Sequence, residues 1–311
     1  MALSGLRHNW QTWNNCGPAT LAMQLSYFGS ALTQEDIRQV LRPNDDDKNV
    51  SLPELAEFAA EQGFLARALV NGDAERIKQL VALGLPVLIE TWLEPEPNNG
   101  MGHYRLITGY DDEAGQWIVY DSYISTGVKK GEPYQGIRLN YAETERLWRV
   151  FNRAYLVIYT QEQAAAVAET LGKDMNREAM WRASLARAMA EVDEDREDAF
   201  AWFNLGSSFT TLGRYDEAAA AFDRARIIGL PWRMMWYQFA PLKAYYETGR
   251  YEELLALADA TLATSDQIEE LHDWRGAALA ALGRAEEAQA AFARAEALHP
   301  HHRNVARTFG P

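Results

Sequence analysis

The chain has 311 residues, 48% of them hydrophobic, and a formal net charge of −14 from 30 Lys and Arg against 44 Asp and Glu. This length favours two domains, and the excess of acid argues against nucleic acid or a polybasic membrane contact. There is no apolar run of about 18 residues, so we expect no membrane span in this chain. As written, the chain is expected to be soluble and cytoplasmic; it would be extracytoplasmic if an upstream signal or anchor was removed.

The first predicted helix begins at the only cysteine, Cys16, which lies in the segment QTWNNCGPAT over residues 11–20. A long apolar stretch follows and stops at Gly29. The N–H groups and the dipole of a helix favour a thiolate at its first turn, so this position suits a nucleophile. A chain with one cysteine cannot form an internal disulfide, and any role of Cys16 is that of a free thiol.

Further helix starts are predicted at Thr33, Ser51 and Asp73, where capping residues precede apolar patterns. Strand-like runs rich in Val, Ile, Tyr and Trp come next. Helices followed by an antiparallel sheet are an α+β order. The predicted strands are Pro86–Trp92, Tyr104–Tyr110, Trp117–Ser122 and Ala154–Tyr159.

Residues 161–311 lack a strand pattern, and a Gly-Arg turn recurs there with its glycines 36 and 34 residues apart. This period is typical of stacked helix pairs, in which small residues let the helices approach and large ones fill between them. The pattern resembles tetratricopeptide repeats, with a degenerate middle copy. The first and third copies carry the family's residues at Trp202, Leu205, Gly206, Phe209, Ala218, Phe222 and Ala225, and at Gly276, Leu279, Ala288, Phe292, Ala295 and Pro300.

We therefore expect three parts. Residues 1–160 form an α+β domain with helices packed on an antiparallel sheet, residues 161–192 form a helical connector or cap, and residues 193–311 form an all-α repeat domain. Concave repeat surfaces bind extended peptides or helices, so a protein partner on the last part is expected.

Two polar clusters are interpreted as solvated rather than metal-binding. Residues 45–49 (DDDKN) lack the Gly and Glu that a calcium loop needs, because Val50 and Ala56 stand at those places. The histidines at 299, 301 and 302 have no defined partner ligand. No metal or organic cofactor is expected.

A nucleophilic cysteine needs a base, a group that orients the base, and donors for the oxyanion. His103 begins one predicted strand, and Asp121 ends the next. A hairpin turning near residues 112–113 places Asp121 opposite residue 103 or residue 105, and both registers put His103 and Asp121 on one face. Gln11, five residues before Cys16, is a candidate oxyanion donor together with the Cys16 N–H.

The order Gln11, Cys16, His103, Asp121 resembles papain-like cysteine peptidases. Over residues 5–160 it is most similar to the bacteriocin-processing, double-glycine leader peptidases, which are family thirty-nine of the cysteine class, and to their stand-alone relatives. The shared pattern is Gln-x4-Cys-Gly-Pro-Ala, a Gly-His strand ending in Gly-Tyr-Asp, and a later strand ending in Tyr-Asp. The resemblance implies Cys16 as nucleophile, His103 as base, Asp121 as orienter and Gln11 as oxyanion donor.

The sequence departs from this family at one informative place. Members commonly have Pro after the orienting Asp, whereas this chain has Ser122. It also carries no transporter or ATPase segment, so the resemblance does not extend to double-glycine leader cleavage. We expect a thiol-dependent hydrolase of a peptide or protein substrate. A catalytically silent scaffold that binds a partner peptide through its repeats, and an acyltransferase with the same residues, stay open as alternatives.

Overall fold

The computed structural model describes residues 1–126, 128 and 133–300. These residues form two compact units. The first consists of Met1–Leu41 and Val50–Ala183, and the second of Arg42–Asn49 and the described residues from Ser184 onward. The domain limits at residues 160 and 192 stay a prediction.

The helical starts of the first unit agree with the capping signals in the sequence. Ser51 and Glu54 form a reciprocal capping box, and the Asp73 carboxylate accepts from the Arg76 N–H at 2.8 Å. The Thr33 N–H donates to the Asp36 carboxylate at 2.8 Å, as the predicted box requires. The helices are α1 (Cys16–Tyr27), α2 (Gln34–Leu41), α3 (Leu52–Glu61), α4 (Ala74–Ala82), α5 (Tyr141–Trp148) and α6 (Ala164–Leu171).

The sheet of the first unit has six strands in the order β1-β6-β2-β3-β4-β5, and every neighbouring pair is antiparallel. The predicted α+β order is confirmed, and β1, β5 and α5 are additions that the sequence reading missed. The strands are β1 (Leu65–Leu69), β2 (Val87–Leu93), β3 (Met101–Asp111), β4 (Gln116–Asp121), β5 (Ile137–Asn140) and β6 (Tyr155–Tyr159).

The β3–β4 hairpin adopts the second of the two registers left open by the sequence. Asp121 pairs with Arg105, and the register shifts at a bulge between Ile107 and Gly109. His103 therefore lies two residues beyond the partner of Asp121 on the same strand, and its side chain shares the face of Arg105 because side chains alternate along a strand.

Helix α1 is buried along almost its whole length, from Gly17 to Ser26. Its polar Gln24 donates to the carbonyls of Pro86 and Leu156 at 2.9 and 3.3 Å, which fixes the helix to β6 and the start of β2. A second core on the sheet includes Ile89, Ile107 and Val157 together with residues of α4 and α6. Helix α1 is thus packed against the sheet.

The second unit is all-α, as predicted. After α7 (Arg177–Glu194) it contains three helix pairs joined at the recurring glycines, whose φ angles of +75°, +73° and +77° at Gly213, Gly249 and Gly283 favour glycine. The pairs are α8 (Ala199–Thr211) and α9 (Tyr215–Ile228), α10 (Ala240–Glu247) and α11 (Tyr251–Leu262), and α12 (Glu269–Ala281) and α13 (Ala285–Leu298).

The repeat packing confirms the expected match of small and large residues. A Cβ atom at Gly206 would lie 2.7 Å from the Phe222 ring, and one at Gly276 would lie 2.6 Å from Phe292. The aromatic ring of the second helix therefore fills the space that the missing side chain leaves on the first. Within the described residues, no helix has the length and apolar character needed to cross a membrane.

Two polar clusters differ from expectation. Asp47 and Asn49 are buried, because the loop folds around the Arg42 guanidinium, which donates to the Asp45 carbonyl at 2.6 Å. His299 is also buried, and its Nδ1 lies 3.0 Å from Glu269 Oε1. The two later histidines at 301 and 302 lie outside the described residues. Both clusters therefore serve the packing of the second unit.

Candidate active site

Cys16 is the first residue of α1, and the loop before it is fixed by buried amides. Asn15 is fully buried and donates to Gln34 Oε1 at 2.7 Å, while the Gln34 amide nitrogen donates to Asn9 Oδ1 and to the Trp10 carbonyl at 2.9 and 2.8 Å. This network holds residues 9–15 in one conformation and sets the direction in which α1 begins. Cys16 as a whole residue is partly exposed.

The sulfur of Cys16 meets three hydrogen-bond donors: the His103 imidazole and the backbone N–H groups of Tyr104 and Gly17. Burial raises the pKa of the thiol, but the hydrogen bond to His103, the charge of its imidazolium and the two N–H groups outweigh it, so the pKa is lowered overall. The missing side chain at Gly17 matters here, because a Cβ would lie 3.3 Å from the Tyr104 ring.

His103 lies on β3, is 3% exposed, and its Nε2 is 3.0 Å from Asp121 Oδ1. That contact leaves Nδ1 as the ring nitrogen that faces the thiol. Burial lowers the pKa of His103, but the charge of Asp121 and its hydrogen bond overcome this and raise the pKa to about 9. A lowered thiol pKa and a raised imidazole pKa together favour a thiolate–imidazolium pair at neutral pH.

Asp121 is fully buried at the end of β4, and its carboxylate accepts four hydrogen bonds. Its Oδ1 accepts from His103 and from the N–H groups of Tyr123 and Ile124, both at 2.8 Å, and its Oδ2 accepts from Arg105 Nε at 3.0 Å. Burial raises the pKa of this carboxyl, but His103, Arg105 and the Ile124 N–H hold it well below its usual range. The carboxylate is therefore charged and fixed in place.

Gln11 is hydrogen-bonded to Ser122, the residue that follows Asp121. Its backbone N–H donates to the Ser122 carbonyl at 2.9 Å, and its Oε1 accepts from Ser122 Oγ at 2.8 Å. Because the amide oxygen is engaged, the Nε2 group is the end of the side chain that stays available as a donor. The loop before Cys16 is thereby joined to the residue that follows β4.

The sequence analysis did not identify three side chains that lie near these residues. Arg105 binds Asp121, as above, and also donates to Thr91 Oγ1. His8 stacks on Tyr134 with ring centroids 3.5 Å apart, and its Nε2 lies 2.8 Å from the Asp121 carbonyl oxygen. Glu90 is a carboxyl buried on β2. One signal was available for Arg105 and Glu90, since a charge inside an otherwise apolar strand requires a partner or a role.

Two exposed aromatic side chains are near these residues in sequence or in space. Trp13, three residues before Cys16, is 70% exposed, and Tyr123 is 52% exposed with its ring 6.3 Å from that of His103. No group of three or more His, Cys, Asp or Glu side chains suited to a metal ion occurs among the described residues.

The first unit is similar to known peptidases. Residues 6–155 match the model of the Peptidase_C39 like family, and residues 201–225 match a tetratricopeptide repeat. A C39-like protein of Bacillus anthracis is 16% identical over 51% of this chain and 97% of its own, with a TM-score of 0.41. A second match is the peptidase domain of Streptococcus ComA, a bifunctional ABC transporter of a quorum-sensing pathway. It is 18% identical over 51% of this chain and 100% of its own, with a TM-score of 0.40. A search of the curated proteins finds no match.

Proposed function

We propose that this protein is a thiol-dependent hydrolase of a peptide or amide bond, because residues 6–155 match the Peptidase_C39 like family and residues 201–225 match a tetratricopeptide repeat. Cys16 is the nucleophile, His103 the acid and base, Asp121 the orienter and Gln11 an oxyanion donor. The observation that carries the proposal is the continuous hydrogen-bonded series from the Cys16 sulfur through His103 to a buried, charged Asp121.

The reaction begins with the Cys16 proton on His103. The thiolate attacks the carbonyl carbon, and the carbonyl oxygen takes up the negative charge. The Cys16 N–H is free to bind this oxyanion, because the first N–H groups of a helix have no acceptor within the helix. The Nε2 group of Gln11 supplies the second donor. A single donor of this kind typically contributes a factor of about 10²–10³ to the rate.

The second half returns the enzyme to its starting state. The imidazolium gives its proton to the leaving amine, the C–N bond breaks, and a thioester remains on Cys16. His103, now neutral, takes a proton from water, whose oxygen attacks the thioester and releases the acid. The thiolate leaves and the imidazolium is restored, so protons and bonds balance over the cycle. Proton transfer by a positioned histidine is worth about 10²–10⁴-fold.

The helical repeats are proposed as the part that binds a protein or peptide partner. Support comes from the tetratricopeptide match over residues 201–225 and from three helix pairs in the second unit. Stacked pairs of this kind build an extended surface on which a segment of another chain can lie. On this proposal the repeats supply recognition and the first unit supplies chemistry.

The test combines a thiol-directed activity probe with a peptide library. We expect the probe to label Cys16, and the wild-type protein to cut library peptides that the Cys16→Ala variant leaves intact. Far-UV circular dichroism of the variant is expected to match the wild type, because the exchange removes only one sulfur atom. Full cleavage by Cys16→Ala would overturn the proposal. Products that carry an added amine instead of a new carboxyl would reassign the reaction to acyl transfer.

A further inference from the structure

Glu90 is a buried acid in the middle of an apolar strand. It lies in β2, all seven of whose residues are buried, and is itself 7% exposed. It pairs with Tyr104 across the β2–β3 ladder. Charged side chains are rarely buried to this extent unless they have a partner, so the position needs a physical reason.

The Glu90 carboxyl has no hydrogen bond and no ion pair with any side chain among the described residues. Its own backbone N–H is satisfied by the Ala154 carbonyl at 3.2 Å, so the ladder does not use the side chain. Burial and the negative charge of Cys16 raise the pKa of Glu90 to about 8. The carboxyl therefore lacks a cation and is mostly protonated at neutral pH.

Glu90 is linked to the nucleophile through its cross-strand neighbour Tyr104. Paired residues on neighbouring antiparallel strands place their side chains on the same face, about 4.5–5.5 Å apart at Cβ. Glu90 thus shares a face with Tyr104, whose backbone N–H donates to the Cys16 sulfur and whose ring lies against Gly17. The negative charge of Cys16 also contributes to the raised pKa of Glu90.

The neighbouring charges are already matched. The Cys16 thiolate faces the His103 imidazolium, and Asp121 faces both His103 and Arg105. Arg105 Nε is bound to Asp121 and its Nη1 to Thr91, so this guanidinium is engaged elsewhere. An ionised Glu90 would be the negative charge left over, and a cation brought by a ligand would complete the set.

We propose that Glu90 forms one wall of a subsite next to Cys16 that binds a cationic group, an ammonium or guanidinium, of the peptide substrate. The substrate part of this assignment rests on the hydrolase proposal above, but the binding of a cation does not. A neutral residue would fill the same space without the cost of a buried, unpaired carboxyl, so the acid is best explained by a ligand that pairs with it.

The first experiment measures cation binding without any catalysis. Butylguanidinium and its neutral isostere butylurea are titrated into the full chain, and the Gly17 and Tyr104 amide signals are followed by NMR. We expect butylguanidinium to bind wild type at least about tenfold more tightly than butylurea, a difference of about 1.4 kcal/mol. Glu90→Gln keeps the shape of the side chain and is expected to abolish the difference.

The control variant is Glu94→Gln, which makes the same charge change at an exposed glutamate just beyond β2. It is expected to keep the preference for the cation. Equal affinities for the two ligands in wild type, or a preference that survives in Glu90→Gln, would overturn the proposal. Far-UV circular dichroism of Glu90→Gln is compared with that of the wild type to check that the variant is folded. Glu90→Met serves as a second neutral variant.

A second experiment finds the source of the cation. Acetylated peptide acyloxymethyl ketones carry arginine or its neutral isostere citrulline at each position before the reactive group, and a further set has a free N-terminus. Faster labelling of Cys16 by the arginine probes would assign the cation to a substrate side chain. Faster labelling by the free amines would assign it to the α-ammonium. We expect either rate advantage to be lost in Glu90→Gln. Equal rates in all sets contradict the subsite. Failure of every probe, with the butylguanidinium preference intact, would refute the hydrolase and keep the cation site.

Discussion

The Nε2 atom of His103 lies 3.0 Å from Oδ1 of Asp121, at the point where β3 extends past the end of β4. The contact is diagonal rather than directly across the ladder, because Asp121 pairs with Arg105. This offset lets one carboxylate hold the imidazole with Oδ1 and the guanidinium with Oδ2. The ring is thereby turned so that its other nitrogen faces Cys16.

The charge of Asp121 is expected to matter more than its shape. Asp121→Asn removes the charge that raises the pKa of His103 to about 9, so the imidazolium becomes less stable and the thiol less ionised at neutral pH. We expect kcat for the peptide found in the library screen to fall by about 10²–10⁴-fold. Asp111→Asn, at the exposed far end of β3, is the matched control and is expected to keep the rate.

Ser122 is expected to position the oxyanion donor. Its hydroxyl donates to Gln11 Oε1, which fixes the amide and leaves the Nε2 group as the donor of that side chain. Ser122→Ala should lower kcat by roughly tenfold, less than the ~10²–10³ expected for Gln11→Ala, because a misoriented donor is only partly lost. KM should stay the same, and Ser122→Thr, which keeps the hydroxyl, should restore kcat. A loss in KM alone would show that Ser122 serves substrate binding instead.

Arg105 is expected to carry a large part of the stability of the first unit. It is 4% exposed and paired with a fully buried Asp121, and removing one partner of such a pair leaves a buried charge uncompensated. Arg105→Met should reduce the free energy of unfolding by about 3–5 kcal/mol, measured by urea denaturation.

The surface pair of Arg182 and Glu178 offers the matching control. Both side chains are well exposed, at 70% and 65%, so solvent screens their attraction. Arg182→Met is expected to change the free energy of unfolding by less than about 1 kcal/mol. Equal losses in the two variants would mean that burial of Arg105 adds nothing.

The sequence predicted the residues of the candidate site better than their contacts. The position of Cys16 at a helix start and the strands of His103 and Asp121 follow from local patterns, because caps and alternation are written in neighbouring residues. The hairpin register was left open between two values. Near the turn Asp111 pairs with Gln116, and this register alone would set Asp121 opposite residue 106. The bulge at Ile107–Gly109 moves the partner of Asp121 to Arg105, and a bulge depends on how the strand packs rather than on its composition.

Local sequence patterns could not predict the partners of the buried charged side chains. Arg105 and Glu90 both lie in strands that were predicted correctly. Arg105, however, binds Asp121, sixteen residues away, and the Glu90 carboxyl has no side-chain partner among the described residues. Likewise, β5 is only four residues long and β1 is largely half-buried, so neither has a strong alternating signal. Such features depend on three-dimensional neighbours, which one-dimensional periodicity does not contain.

The pH dependence of Cys16 alkylation by iodoacetamide tests the central claim most directly, since that claim is a thiolate stabilised by His103. The lowered thiol pKa and the raised pKa of His103 predict a rate that rises at a lower pH than that of an ordinary thiol, and His103→Ala is expected to shift this rise to higher pH because burial then dominates. A wild-type rate that climbs through the ordinary thiol pKa of about 8.5, unchanged in His103→Ala, would contradict the account.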